Sequence, residues 1–101
     1  MDMRWFSFDG TAHITMSGVF DNRCNRAFRQ AGDAAIESAE DTCVQVDLRK
    51  VSYLDSAALS MLILLRGKAN AVRKVVSLKT LPGAVREVLA TAHFEKLFTL
   101  E

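Results

Sequence analysis

The chain has 101 residues, half of them apolar and a quarter charged, which is an ordinary globular composition and excludes an intrinsically disordered protein. Its 13 basic and 12 acidic residues leave a net charge of +1, so the sequence lacks the strongly basic field that generic nucleic-acid binding requires. The longest apolar-dominated run, residues 57–65, is far shorter than the roughly 20 residues of a membrane span.

The first elements along the chain are predicted to form a β-hairpin. Residues 3–8 are rich in aromatic side chains, and residues 12–16 alternate apolar with polar side chains. The Asp9-Gly10 pair between them is typical of a tight turn that joins two antiparallel strands. Gly18 is expected to end the second strand.

A helix and a third strand are predicted next. Asp21 or Asn22 is suited to cap a helix that extends to about residue 39, because apolar side chains recur there at helical spacing. Residues 43–48 then alternate, with β-branched valines, and are predicted to form a strand.

The second half of the chain repeats this alternation of helices and strands. The predicted elements are a helix over residues 57–70, a strand over residues 72–78, a helix over residues 82–92 with Pro82 in its first turn, and a short strand over residues 97–100.

The predicted order is β-β-α-β-α-β-α-β. Strands that alternate with helices after an opening hairpin predict a mixed, mainly parallel α/β sheet of about five strands, with three or more helices. We expect residues 1–101 to form a single domain. Asp2 and Arg4 interrupt the apolar N-terminal segment, which is not typical of a signal peptide. The predicted location is therefore the cytoplasm, with Cys24 and Cys43 reduced.

Motifs for catalysis and for metal binding are absent from the sequence. It has no phosphate-binding glycine loop, no dinucleotide fingerprint and no zinc-protease or hydrolase motif. His13 and His93 are expected to be structural, and the two cysteines match no metal-ligand spacing. We therefore predict a binding protein with no catalytic residue, no metal and no cofactor.

The most informative segment is VDLRKVSYLDSAALSMLILL, residues 46–65. It predicts a strand, a short connection, and then Asp55-Ser56 at the beginning of a helix. Either side chain could simply cap that helix. Alternatively, Ser56 could accept a phosphoryl group, since a helix N-terminus favours a dianion. Such a phosphate would act by placing about two negative charges in an interface.

The helix that follows is apolar on nearly every side. A helix that covers one face of a sheet needs only one apolar stripe, so part of this surface is available to a partner. We predict a docking face at Ala57, Ser60, Met61 and Leu64. The alternative is that the exposed apolar residues have no role.

These residues resemble the signature of STAS domains, a family named for sulfate transporters and anti-sigma factor antagonists. The signature is a strand that ends in Asp-Leu, a short loop, an aspartate followed by serine or threonine, two small residues and leucine. The segment ITMSGVFD also resembles the family's second strand and its glycine–x–x–aspartate ending. The matching residues are Asp47, Leu48, Asp55, Ser56, Ala57, Ala58 and Leu59, with Gly18 and Asp21 earlier in the chain.

The resemblance implies a stand-alone antagonist in a partner-switching circuit. The unphosphorylated protein would bind an anti-sigma factor, often a serine kinase with a histidine-kinase-like ATPase domain. Phosphorylation of Ser56 would block that binding, and a PP2C-type phosphatase would restore it. Asp55 and Asp21 would lie near the phosphorylated hydroxyl, and the free protein is expected to be a monomer.

The chain departs from the family at Ala58, where many members have glycine, and this leaves the partner open. The output could be transcription, secretion, motility or biofilm formation. A different role known in the family also remains open: a non-phosphorylated STAS subunit of a lipid-transport ABC complex. A small enzyme or nucleotide-binding module is the third alternative, and the missing phosphate loop counts against it.

Overall fold

The computed structural model describes residues 2–38 and 40–101. Its elements are β1 (Asp2–Phe8), β2 (Thr11–Phe20), α1 (Asn25–Glu37), β3 (Cys43–Leu54), α2 (Ser56–Ala71), β4 (Val75–Lys79), α3 (Ala84–Thr91) and β5 (Thr99–Leu100). Two short 3₁₀ helices, Asn22–Cys24 and Phe94–Lys96, precede α1 and follow α3. The predicted order of strands and helices is confirmed.

The five strands form one sheet in the order β1-β2-β3-β4-β5. β1 is antiparallel to β2, and the other neighbouring strands are parallel, as predicted for a mainly parallel sheet with one mixed edge. Ile14, Val46 and Leu78 are register partners on three adjacent strands, and all three are completely buried. α1 and α2 contact each other and the sheet, so they cover this central row.

The hairpin turn is confirmed, whereas the predicted end of β2 is wrong. Asp9 and Gly10 both have positive φ angles, 52° and 78°, which a two-residue turn of this kind requires. β2 does not end at Gly18 but continues to Phe20. Gly18, at φ 89°, absorbs a shift in register with β3, after which pairing resumes.

The predicted end of the third strand is also wrong. β3 continues beyond Leu48 to Leu54, because its second half pairs with the second half of β2. Val51 and Leu54 are buried there, while the residues between them are exposed. This irregular burial does not follow the strict alternation by which the strand was recognised.

The boundaries of the remaining elements differ from the prediction by a few residues. The first helical turn after Asp21 is 3₁₀, and α1 ends at Glu37; the predicted terminus at residue 39 lies outside the described residues. Pro82 precedes α3, which Gly83 caps, so its predicted place in the first turn is wrong. β4 begins at Val75 because α2 and its end occupy the preceding residues.

None of the helices within the described residues has the length and apolar character that crossing a membrane requires.

Candidate functional site

The carboxyl ends of β2 and β3 bring three predicted residues to one edge of the sheet. Phe20 and Leu54, the last residues of these parallel strands, are register partners. Asp21 and Asp55 directly follow them, and Ser56 is the first residue of α2. The carboxyl edge of a parallel sheet is where ligands and partners commonly meet an α/β fold.

Asp55 is the residue that caps α2. Its backbone is extended, and its side chain accepts a hydrogen bond from the Ala58 amide at 3.0 Å. Its carbonyl oxygen accepts from the Leu59 amide at 3.1 Å. Of the two residues that the sequence offered as caps, the structure uses the aspartate, so Ser56 is not needed to begin the helix.

Ser56 is exposed at the first helical position. Its hydroxyl makes no hydrogen bond to any residue that the structure describes, while its carbonyl oxygen accepts one from the Ser60 hydroxyl at 3.0 Å. The two exposed serines of α2 therefore differ: the Ser60 hydroxyl bonds the helix backbone, and the Ser56 hydroxyl faces solvent unengaged.

Asp21 is held by Arg23. The carboxylate caps the 3₁₀ helix by accepting from the Arg23 amide at 3.0 Å, and it forms an ion pair of 2.9 Å with the guanidinium of the same residue. The hydrogen bond from the Arg23 side chain is the main cause that lowers the pKa of Asp21. Asp21 is therefore ionised at neutral pH, with its charge largely balanced by Arg23.

Arg23 is a site residue that the sequence analysis missed. A signal was present, because Asp47 and Arg49 have the same spacing of two residues and form the same arrangement: an amide and a guanidinium that both bond one carboxylate. An aspartate two residues before an arginine is therefore a recognisable local pattern in this chain, found once after the end of β2 and once within β3.

The predicted docking face is only partly exposed. Ala57 is half-buried, Ser60 is exposed and Leu64 is 55% exposed, but Met61 is only 9% exposed. The assignment of Met61 to an exposed face is therefore wrong, because its side chain belongs to the core. α2 packs through a stripe that an all-round apolar helix does not reveal: Ala58, Met61, Leu62, Leu65 and Ala69.

Two apolar residues at the same edge were also missed. Val19 and Tyr53 are neighbours across β2 and β3, and both are exposed. They immediately precede the strand ends that lead to Asp21 and Asp55. The sequence analysis could not place them there, since it ended both strands too early.

Neither histidine lies at this edge. The His13 ring stacks on Phe6 at 4.9 Å between centroids and is hydrogen-bonded to Gln45, and His93 follows α3 with a left-handed backbone. Within residues 2–38 and 40–101, no group of three or more histidine, cysteine, aspartate or glutamate side chains is arranged to hold a metal ion.

Comparison with known protein families gives a match over nearly the whole chain. The family model described as "Mlab, STAS domain" matches residues 7–100. A STAS-domain-containing protein of Pseudomonas aeruginosa strain UCBPP-PA14 is 38% identical over 87 residues, which cover 86% of this chain and 84% of that protein.

Solved structures show the same fold at low sequence identity. An anti-sigma factor antagonist from Mycobacterium paratuberculosis superposes with a TM-score of 0.86 at 22% identity, covering 98% of this chain and 83% of the other. The antagonist SpoIIAA in its unphosphorylated form gives 0.76 at 17% identity, covering 99% and 87%. Phosphorylated SpoIIAA of Bacillus gives 0.74 at 16% identity, covering 99% and 91%.

Proposed function

Since this chain belongs to the STAS-domain family, we propose that it is an anti-sigma factor antagonist whose binding is controlled by phosphorylation of Ser56. The unphosphorylated form binds an anti-sigma factor that is also a serine kinase with a histidine-kinase-like ATPase domain. Phosphorylation releases this partner, and a PP2C-type phosphatase restores binding. The protein acts in the cytoplasm as a non-enzymatic monomer, and its output is transcription, secretion, motility or biofilm formation.

The observation that carries this proposal is the exposed and unengaged hydroxyl of Ser56 beside a separate capping residue. Because Asp55 caps α2, a phosphate on Ser56 would not remove the hydrogen bond that begins the helix. The helix dipole also favours negative charge at this position. Modification is therefore compatible with an intact fold, and the occurrence of SpoIIAA structures in both phosphorylated and unphosphorylated forms supports this.

The local charges indicate how the switch acts. The Asp21 carboxylate is paired with Arg23, whereas Asp55, next to Ser56, forms no ion pair with any described residue. A phosphate adds about 1.5 to 2 negative charges at pH 7. A partner surface that fits a neutral hydroxyl would then face a concentrated negative charge, and binding would fail by repulsion and desolvation.

Affinity capture from the native cytosol tests this proposal. We expect the wild-type chain and Ser56→Ala to retain the same ATPase partner, and Ser56→Asp to retain less of it. Thr42→Asp is the matched control, because it adds the same charge at an exposed position beside the opposite, amino edge of the sheet. If Ser56→Asp retained the partner as strongly as Thr42→Asp, switching by repulsion would be wrong.

A second candidate is the constitutive STAS subunit of a lipid-transport ABC complex. The family model that matches this chain bears the name Mlab and not that of an antagonist, and this keeps the second candidate open. The same captures distinguish the two functions. An ABC ATPase that is retained equally by Ser56→Ala and Ser56→Asp would support the constitutive subunit and contradict the phosphorylation switch.

A further inference from the structure

We propose that the groove between α1 and α2 binds an amphipathic helix of the partner protein, one that carries acidic side chains beside its apolar face. This inference rests on the proposed function, because it describes the partner that Ser56 would regulate. It concerns a different part of the surface, which begins more than one helical turn after Ser56 in α2.

The floor of the groove is apolar and is formed by both helices. Phe28 and Gly32 contribute from α1, and Met61 and Leu65 contribute from α2. A Cβ atom on Gly32 would lie 3.0 Å from Leu65 Cδ1, so a larger residue there would require the Leu65 side chain to shift. The two helices are therefore closely packed at the floor of the groove.

The size of the groove suits a side chain of a protein better than a small molecule. It is a shallow depression with room for about 20 Å³, far below the roughly 300–1,000 Å³ of small-molecule sites. Leu64 stands on its rim with 55% of its surface exposed. An apolar floor between two helices with an exposed leucine at its edge is the arrangement in which an amphipathic helix commonly docks.

The charges around the groove select an acidic partner. Arg29 lies on the rim, and Arg26 is one turn earlier on α1; both are exposed. Neither has a carboxylate within ion-pair distance among the described residues. The carboxylate on the rim, Asp33, is already paired with Lys68 at 3.1 Å. The surface therefore presents uncompensated positive charge beside an apolar groove.

This charge pattern also explains why a phosphate on Ser56 would oppose binding. Met61 and Leu64 lie five and eight residues after Ser56, which corresponds to about 8–12 Å along the helix axis. This is comparable with the Debye length of about 8–10 Å at physiological ionic strength. An acidic helix in the groove would therefore be attracted by Arg26 and Arg29 and repelled by the phosphate.

Two synthetic peptides of about five helical turns test the proposal against the full-length, unphosphorylated protein. Both carry the same leucine face; one has glutamate and the other lysine at the remaining positions. We expect the glutamate peptide to bind at least about tenfold more tightly, by isothermal titration calorimetry. We also expect it to shift the amide resonances of Gly32 and Leu64 most strongly. Equal affinity of the two peptides, shifts centred elsewhere, or no measurable binding would overturn the inference.

Matched substitutions locate the binding surface. Leu64→Asp and Arg29→Glu are each expected to lower the affinity for the glutamate peptide by about tenfold or more. Ile63→Asp and Lys96→Glu are the controls: Ile63 is also an exposed apolar residue of α2, at 46%, but neither control residue lines the groove. If the controls weakened binding as much as the groove variants, or if the groove variants bound normally, the groove would not be the site.

The two proposals fail in different ways. If peptide binding fails while partner capture still depends on Ser56, the groove is not the docking surface and the switch stands. If the glutamate peptide binds in the groove but capture does not respond to Ser56→Asp, the docking surface stands and the switch is wrong.

Discussion

Aspartate and serine meet at two opposite edges of the sheet, with different consequences. At the amino edge, Asp41 is only 1% exposed and accepts hydrogen bonds from the hydroxyls of Ser7 at 2.8 Å and Ser38 at 2.6 Å. At the carboxyl edge, Asp55 accepts from a backbone amide, and the hydroxyl of Ser56 stays exposed. At the amino edge the serine hydroxyls are bonded to the aspartate, so these residues have a structural role. At the carboxyl edge the Ser56 hydroxyl is not bonded to Asp55, so it is accessible to a modifying enzyme.

The amino-edge cluster, Asp41 with Ser7 and Ser38, links two segments that are distant in the sequence. Ser7 belongs to β1 and Ser38 follows α1, so Asp41 joins the hairpin to the connection that leads into β3. A buried carboxylate is tolerated only when hydrogen bonds replace its hydration. Because Asp41 has them, we expect its loss to affect stability, whereas the loss of the Ser56 hydroxyl should affect regulation only.

The largest effect is expected from Asp41→Ala. This variant leaves two hydroxyls without their acceptor and removes the side-chain link between β1 and the α1–β3 connection. We expect a fall in Tm of about 12 °C or more, measured by thermal unfolding, because roughly 1 kcal/mol lowers the Tm of a domain of this size by about 4–8 °C. Glu37→Ala, at an exposed position near the end of α1, is the control. A Tm for Asp41→Ala that matches the control would show that the cluster is not structural.

Acid should weaken the amino-edge cluster. The Ser38 hydrogen bond, followed by that from Ser7, lowers the pKa of Asp41 below its ordinary value. A carboxyl whose folded-state pKa is depressed contributes stability that is present above the unfolded value of about 3.9 and is lost as the pH falls through the folded value. We therefore expect Asp41→Asn to show a shallower loss of stability than the wild type in urea unfolding between about pH 5 and pH 2.

Asp21 and Asp47 have pKa values lowered mainly by their arginine side chains, and they contribute to the acid dependence with the same sign. Asp41→Asn should therefore reduce the pH dependence without abolishing it. An unchanged slope would contradict the role assigned to Asp41.

Gly18→Ala is expected to destabilise the fold at the point where β2 shifts its register with β3, before the carboxyl edge. Gly18 has a φ angle of 89°, and a Cβ atom there would meet no other atom within 4 Å, so the cost comes from the backbone alone. We expect a loss of about 1–2 kcal/mol in the free energy of unfolding. Gly67→Ala is the control, because a Cβ atom at Gly67 would also meet no other atom within 4 Å. Gly67 lies within α2, so this variant should gain roughly 0.5–1 kcal/mol in the free energy of unfolding. Equal effects in chemical denaturation would contradict this account.

Asp55→Ala removes the cap of α2 and is expected to lower the free energy of unfolding by about 1 kcal/mol. Asp55→Asn keeps an oxygen that can accept from the Ala58 amide, and it should retain most of the stability. If both variants were as stable as the wild type in urea, the assignment of the cap to Asp55 would be wrong.

The smallest effect on stability is expected from Ser56→Ala, within about 0.5 kcal/mol of the wild type. Ser38→Ala is the matched comparison, because it removes a hydroxyl that donates to a buried carboxylate, and it should cost roughly 1.5–3 kcal/mol. Comparable losses for both variants would remove the distinction between the two edges.

The order of elements was predictable because its signals are local. The Asp9-Gly10 turn and the alternation of Val44 and Val46 do not depend on distant contacts. The second half of β3 was not predictable in this way, because exposed residues such as Arg49 and Tyr53 interrupt its pattern. Its pairing with β2 supplies the hydrogen bonds that the local sequence does not indicate.

The site was predictable in position but not in detail. Asp55 and Ser56 were placed at a helix N-terminus, yet both residue types are good caps, and only the geometry assigns the role to Asp55. Met61 was misassigned because an all-round apolar helix gives no preferred face. Which residues of α2 are exposed depends on how the helix packs against α1 and the sheet. The sequence of α2 alone does not indicate this packing.

The most direct test of the central claim is intact-mass and phosphopeptide mass spectrometry of the protein isolated from its native cytosol. We predict a phosphate on Ser56, and we predict that the singly phosphorylated form disappears in cells that express Ser56→Ala. Complete peptide coverage with no phosphate on Ser56 under any growth condition, or a phosphate that persists in Ser56→Ala, would contradict the account.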